Sequence, residues 1–486
     1  MVTEEQLAKY DITIGIECHV QLATTTKLFS GANNDARNKA PNTVVNPIDF
    51  GLPGMLPVLN REAVTLAIKA GKALSADIAH VSRFDRKHYF YPDLPKGYQT
   101  TQMYNPIILA GHVDAPLEDG TMVKVRIHHA HMEEDAGKLT HFGDYSLVDL
   151  NRAGTPLIEI VSEPDIHSPA EAKAYATELY RLMTYAGVTH GDLYNGNMRF
   201  DVNVSVALKG ATELGTRAEV KNLNSFKSVE RAAEYEFRRQ VERLEKGERI
   251  VQETRGWDEA KQKTNSQRSK EDAQDYRYMP DADIPPIVLS DEEINEIQAT
   301  VPALPSFYRD AWRELEFDST VINALLLSPE IAKFVQTILE DTNKSTARRV
   351  ALWLLMAVDE NLDANESIQS NVVPISKEQF ITLATMVDAN ELSSTAAKEV
   401  LAEMLKSSDD PRKIAEAKNL IQVSDEGAIS AIVDEVLADP SSAKAVEDLK
   451  KGNDKVIGFL VGQVMKKSQG KANPELAQKL IREKIT

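Results

Sequence analysis

Ile14-Gly15-Ile16-Glu17-Cys18-His19-Val20-Gln21-Leu22 alternates between apolar and polar side chains, the period of a β-strand with one buried and one open face. Glu17, His19 and Gln21 share one face; Ile16, Cys18, Val20 and Leu22 share the other. The pattern recurs. Between Met122 and Asp135, Val125 and Ile127 give way to His129, His131, Glu133 and Asp135 on one face, with Glu134 opposite. Arg199, Asp201, Asn203 and Ser205 alternate with Phe200, Val202, Val204 and Val206, and Glu219 and Lys221 flank Val220. Four strands therefore each carry a carboxylate on a polar face, and such alternation predicts an antiparallel sheet covered on one side only.

A wet sheet face explains the alternation but not its composition. Glu-x-His, His-x-His-x-Glu and Asp-x-Asn offer oxygen and imidazole ligands where solvated strands favour Thr and Lys. Carboxylates gathered together repel unless a cation sits among them. A hard divalent ion such as Mg²⁺, held by two or three carboxylates with water and substrate phosphates, answers that repulsion. His19 serves either as a ligand or as a group that orients a carboxylate.

Outward from these strands the chain changes character. Two helices are marked in the first half: one begins at Ser168-Pro169 with Glu171 following the serine and stops at Gly187, and one runs from Lys227 to Lys246 and stops at Gly247. After Met279-Pro280-Asp281-Ala282-Asp283-Ile284-Pro285-Pro286 the pattern is helical throughout, with Ser290 and Glu293 capping a helix and further helices over Ala311–Leu315 and Ile322–Leu339. Ser407-Ser408-Asp409-Asp410-Pro411 makes a second break. Three domains are expected: residues 1–290, 291–407 and a tail, 408–486.

The 486 residues carry a formal charge of −18, which argues against a general nucleic-acid coat. From Lys444 onward the balance reverses, with ten Lys or Arg against five acids. The single cysteine, Cys18, excludes internal disulfides and fits a reducing, cytosolic compartment. No stretch approaches the roughly 18 apolar residues of a membrane helix, and no secretory leader is visible.

Arg83-Phe84-Asp85-Arg86-Lys87-His88-Tyr89-Phe90-Tyr91-Pro92-Asp93-Leu94-Pro95-Lys96-Gly97-Tyr98 supplies basic and aromatic groups suited to a nucleotide, or equally to a packed loop. G-x-x-x-x-G-K-[ST], G-x-G-x-x-G and G-x-S-x-G are all absent, so any ATP site is neither a P-loop nor a dinucleotide fold, and no serine nucleophile is presented. A second polar concentration, Asn151, Arg152, Glu159 and Glu163, surrounds the apolar run Leu157–Val161. By itself it reads equally well as a site or as a loop feeding a core strand.

The Ile14–Leu22 run, Met132-Glu133-Glu134-Asp135-Ala136-Gly137-Lys138, the run from Asn151 to Asp165, Glu219-Val220-Lys221-Asn222-Leu223-Asn224-Ser225-Phe226, Asp275-Tyr276-Arg277-Tyr278-Met279-Pro280-Asp281 and, in the tail, Gly458–Met465 and Gly470–Pro474 closely resemble the B subunits of tRNA-dependent amidotransferases. The resemblance spans nearly the whole chain. It implies an α+β cradle domain with a kinase-like site, then a helical domain and a tail that contacts tRNA. It implies ATP and Mg²⁺, used to phosphorylate the side-chain carboxylate of Glu-tRNA(Gln) or Asp-tRNA(Asn), and ammonia supplied by a glutaminase A subunit that a small C subunit joins in a heterotrimer. It implies a metal site drawn from Glu17, His19, Glu133, Glu134, Asp201 and Glu219, with Glu133, Glu134, Glu219 and Lys221 catalytic. Lys87, Lys96, Arg152 and Lys221 become the groups that neutralise the transferring phosphoryl, and Tyr91, Asn151, Glu159 and Ser162 help line the nucleotide or aminoacyl site. Lys455, Lys466, Lys467 and Lys471 are the tRNA-facing lysines of the tail. Many members hold a structural zinc with paired cysteines; here those regions read Ser30-Gly31-Ala32-Asn33 and Asn46-Pro47-Ile48-Asp49, and no zinc is expected. The competing reading is a non-catalytic tRNA-binding scaffold whose carboxylates are structural.

Overall fold

The computed structural model describes residues 2–269, 275–361, 375–407, 409–422, 426–468 and 472–485. The chain forms two compact units, Met1–Asp310 and Ala311–Thr486. The first is built on an eight-stranded sheet: β1 (Tyr10–Gln21), β2 (Gly111–Pro116), β3 (Met122–Glu134), β4 (Pro156–Ser162), β5 (Met198–Leu208), β6 (Ala218–Leu223), β7 (Glu253–Asp258) and β8 (Lys263–Ser269). Their order across the sheet is β8-β7-β6-β5-β1-β4-β3-β2. Neighbours are antiparallel except β6 and β7, so the unit is α+β with β1 at the centre.

The alternation read in β1 decides which face is buried. Ile12, Ile14, Ile16, Cys18 and Val20 lie in the core with Ile158 and Ile160 of β4 and Phe200, Val202 and Val204 of β5. Helices α1 (Arg61–Ala73), α2 (Pro169–Tyr185) and α3 (Phe226–Glu245) contribute to the same core through Ala67, Tyr175, Leu179, Val229 and Ala233. Ser168 caps α2 by accepting from the Glu171 N–H with Pro169 in the first turn, and Ser225 caps α3. The opposite face of the central strands is left for polar groups.

Two sequence expectations shift. The first compact unit runs past residue 290, because helix α4 (Asp291–Ala299) buries Ile294 in the sheet unit's core and its Glu293 pairs with Arg61 of α1. The helix expected over 322–339 is two helices, Ser319–Leu325 and Pro329–Asp341, meeting at 112°. Ser328 caps the second and Pro329 occupies its first turn, where the missing N–H is harmless. In the second unit Ile429, Val433, Leu460, Val464 and Ile481 share an apolar cluster of the tail helices. Among the described residues no single helix is long and apolar enough to cross a membrane.

Asp49 ties the 46–49 stretch to Ser30 and to Lys27 just before it. Lys27 is fully buried, and its Nζ donates to Asp49 Oδ2 at 3.2 Å; Ser30 Oγ (3.2 Å) and the Asn46 N–H (2.8 Å) donate to the same oxygen. Burial lowers the Lys27 pKa against the pull of Asp49.

Phe200 is fully buried in β5 with its ring 6.2 Å from that of Phe226. Phe200→Ala is expected to destabilise the first unit by about 3–5 kcal/mol, read by Trp257 fluorescence in urea after Trp312 and Trp353 are replaced by Phe. Leu208→Ala, at an exposed end of the same strand, is the comparison. A similar loss in both would contradict the assigned core.

Candidate active site

The register of β1 creates the site. Glu17 stands opposite Asp201 of β5, and His19 stands opposite Glu159 of β4, while His131 of β3 stands opposite Glu159 from the other side. Two groups of ligand-type side chains result: His19, Glu133 and Glu159, and Glu17, Asp201 and Glu219, each with one ligand atom per residue within 4.8 Å of the others.

In the first group His19 Nε2 lies 3.5 Å from Glu133 Oε1 and 3.7 Å from Glu159 Oε2. His131 Nε2 lies 3.3 Å from Glu159 Oε2 and 3.8 Å from Glu133 Oε2. Burial opposes a charge on His131, but the two carboxylates prevail and push its pKa up to about 9. The reciprocal effect, again against burial, holds Glu159 well below the usual carboxylate range. His129 Nε2 is 3.2 Å from His131 Nδ1; burial and the charge on His131 bring His129 down to about 4.

The second group is all oxygen. Glu17 accepts from Asn203 Nδ2 at 3.1 Å, and its pKa is raised by burial and then by Glu159 and Glu219. Lys221 Nζ lies 2.8 Å from both Asp201 Oδ2 and Glu219 Oε1. Burial works against its charge, yet the paired carboxylates raise its pKa. Asn222, with φ +62°, leaves the strand conformation so that its N–H donates to Asp201 Oδ1 at 2.8 Å. A shift in pairing between Phe200 and Val202 accompanies it. Three carboxylates share one lysine here, so negative charge remains. This donor set suits a hard divalent cation, and the first group adds one imidazole to two carboxylates.

Beside these groups Asp135 accepts from Arg152 Nη2 (2.8 Å) and Nε (3.1 Å) and from Arg199 Nη2 (3.4 Å). The two guanidiniums hold its carboxyl low despite burial. A polar cavity of about 320 Å³ opens here, lined by Gln21, Asn34, Arg37, Lys138, Arg152 and Asn197.

Not every expected residue joins the centre. Glu134 is on the other face of β3, where its carboxylate takes Lys96 and the Thr100 N–H (2.9 Å); neither Glu134 nor Lys96 is in the two ligand groups. Alternation along the strand requires this once Glu133 faces His19. Asn151 stays beside Arg152 in the lining of the polar cavity, and its side chain, which accepts from the Thr43 and Val44 N–H groups and donates to Ala40 O, also braces the 40–44 loop. Ser162 Oγ accepts from the Ile16 N–H (2.8 Å) and donates to Glu163 O, so it ties β4 to β1 on the core side. Tyr91 is an exposed residue of the turn that ends at Leu94. Lys87 does approach the first group and feels Glu133 and Glu159. In the tail, Lys455, Lys466 and Lys467 are exposed, with Lys467 Nζ 3.1 Å from Glu435; Lys471 lies outside the described residues.

Glu159, expected to line a nucleotide site, stands in the first ligand group, and His131, Asp135 and Arg199 join the site without a role assigned from sequence. Period-two alternation signals Asp135 and Arg199 as polar-face residues. Only the β1–β4 register reveals what Glu159 meets.

Sheet and site together define a catalytic domain of known type. Residues 12–295 match the family model described as the GatB/GatE catalytic domain, and residues 333–485 match that described as the GatB domain. The chain is 44% identical to the B subunit of the aspartyl/glutamyl-tRNA(Asn/Gln) amidotransferase of Carboxydothermus hydrogenoformans, over 99% of each chain. It is 45% identical to that of Caldanaerobacter subterraneus, over 98% of this chain and 100% of the relative, and 46% identical to that of Halorhodospira halophila, over 98% and 99%. The chain belongs to this family of amidotransferase B subunits.

Lys221→Met leaves Glu17, Asp201 and Glu219 without their cation. Its melting temperature should fall and then recover more on adding Mg²⁺ than the wild type's rises, while K⁺ at equal ionic strength does little. Equal responses to the two salts would show that the carboxylates do not form a divalent site.

Proposed function

We propose that this chain is the subunit of a tRNA-dependent amidotransferase that spends ATP to phosphorylate the side-chain carboxylate of Glu-tRNA(Gln) or Asp-tRNA(Asn). Ammonia from a glutaminase A subunit, joined through a small C subunit in a cytoplasmic heterotrimer, then displaces the phosphate to give the amide. The observation that carries the reading is the pair of carboxylate-rich ligand groups that flank β1.

The chemistry asks little covalent help of the protein. A carboxylate oxygen of the substrate attacks the γ-phosphorus and ADP leaves; ammonia then attacks the acyl carbon, inorganic phosphate leaves and a proton is lost. The nucleophile arrives already anionic, which agrees with the absence of a serine elbow and with Cys18 buried on the core face. Catalysis therefore rests on positioning and charge. His19, Glu133 and Glu159, and Glu17, Asp201 and Glu219, would hold Mg²⁺. Bound there, the metal supplies electrostatic stabilisation of the phosphoryl oxygens. Lys221 bridges Asp201 and Glu219 and holds them close. His131 pairs with Glu159 in the same way, and Asp135 ties Arg199 to Arg152, whose guanidinium lines the polar cavity and is offered there to an anionic substrate end. Lys87, which feels Glu133 and Glu159, is the cation of the first group suited to meet a phosphate. Lys96 and Glu134, paired to each other on the far side of β3, are left out of the phosphoryl-binding set.

In the assembled enzyme with ammonium as nitrogen source, Glu133→Gln and Asp201→Asn should each lower ATP-dependent amidation on the order of a hundredfold or more, while glutaminase activity of the partner persists. Unchanged amidation in both variants would favour the scaffold reading.

Lys455, Lys466 and Lys467, exposed in the segment where positive charge concentrates, form our proposed contact with the tRNA backbone. A chain ending near residue 408 should bind misacylated tRNA more weakly and with a shallower salt dependence, measured by filter binding between about 50 and 200 mM salt. Identical salt slopes in the two proteins would remove the tail from tRNA binding.

A further inference from the structure

The Asp275-Tyr276-Arg277-Tyr278-Met279-Pro280-Asp281 segment supplies no residue to either ligand group, yet it is zipped along the strand that bears Lys87. Met279 pairs with Arg86 and Pro280 with Asp85. The His88 N–H donates to Tyr276 O at 2.8 Å, His88 Nδ1 lies 2.9 Å from Arg277 O, and Arg86 Nε donates to Asp281 Oδ2 at 2.8 Å. This ladder brings the Tyr276 ring against Lys87, with Tyr278 packed against Tyr276. Lys87 Nζ sits 4.8 Å from the centre of the Tyr276 ring, and that ring meets Tyr278 edge-on at 6.1 Å and Tyr89 at 6.3 Å.

The neighbouring lysines show why rings matter here. Lys27 is paired with Asp49, Lys96 with Glu134, and Lys221 with Asp201 and Glu219. Among the described residues Lys87 has no carboxylate oxygen within 4.0 Å. A carboxylate partner would neutralise an ammonium and compete with an incoming phosphate. An aromatic face attracts the ammonium through its quadrupole, contributes no net charge, and leaves the remaining N–H donors unclaimed. Glu133 and Glu159 nonetheless act on Lys87 at longer range and, with the tyrosines, keep its pKa raised in spite of burial.

We propose that Tyr276 and Tyr278 are positioning residues that hold the Lys87 ammonium beside the His19, Glu133 and Glu159 group, unclaimed by any carboxylate, for the phosphoryl group of the nucleotide. This inference rests on the phosphoryl-transfer reading of the site and on the role given there to Lys87.

Two measurements test it. In the full-length chain carrying ¹³C-dimethyl lysines, the Lys87 resonance, assigned by its loss in Lys87→Arg, should be displaced by the ring current of Tyr276. It should move to the ordinary lysine position in Tyr276→Leu and stay displaced in Tyr276→Phe, which keeps the ring. In the assembled enzyme at subsaturating ATP, Tyr276→Leu should slow phosphoryl transfer to the misacylated tRNA by roughly three- to tenfold, the range expected for losing one cation–π contact. The same change in a Lys87→Met background should have no further effect. Equal slowing in both backgrounds, or an unmoved Lys87 resonance in Tyr276→Leu, would overturn the inference while leaving the metal-site variants informative. Full transfer activity in Lys87→Met would also overturn it. Failure of transfer to respond to Glu133→Gln and Asp201→Asn would instead count against the underlying reading of the site.

Discussion

The pairing of β1 between β4 and β5 is the constraint on which the rest depends. It sets Glu17 against Asp201 and His19 against Glu159, and so forces like charges together in the middle of a sheet. Apolar packing on the reverse face holds the register, because a slip of one residue would turn Ile14, Ile16 and Cys18 outward and the carboxylates inward. The repulsion is met locally by Lys221 between Asp201 and Glu219 and by His131 between Glu133 and Glu159. These cations offset part of the negative charge and leave the remainder for a ligand.

From that register the division of labour follows. The open face of the sheet gathers the acids; the edges of the site gather the bases. Arg152 and Arg199 converge on Asp135, and Lys87 comes from a separate short strand held by the tyrosine segment. Phosphoryl transfer to an existing carboxylate needs such an arrangement of opposed charges around a fixed point and no protein nucleophile.

Much of this is legible in the chain. Period-two alternation in residues 14–22 and 199–206 marks the strands and their polar faces, and Ser168-Pro169 marks the start of one helix and Gly247 the end of another, because capping and alternation are local physics. The carboxylates at 17, 133, 201 and 219 are identifiable for the same reason. What stays hidden depends on contacts between distant segments. Glu159 belongs with His19 only through the β1–β4 register. Ser162 looks like a site residue in sequence, and its hydrogen bonds turn out to serve the inner side of the sheet, whereas Asn151 lines the polar cavity while bracing a loop. Glu134 falls on the far face of β3, as its place next to Glu133 requires, although motif resemblance groups the two. The break at Ser328-Pro329 is missed in sequence, because the apolar run on both sides of it reads as one helix.

The central claim is that the two groups astride β1 bind divalent cations. Soaking crystals of the assembled enzyme with Mn²⁺ and a non-hydrolysable ATP analogue, and recording anomalous diffraction, tests it directly. The account predicts anomalous peaks among His19, Glu133 and Glu159 and among Glu17, Asp201 and Glu219. Manganese bound to the nucleotide elsewhere, with neither group contributing a ligand, would contradict it.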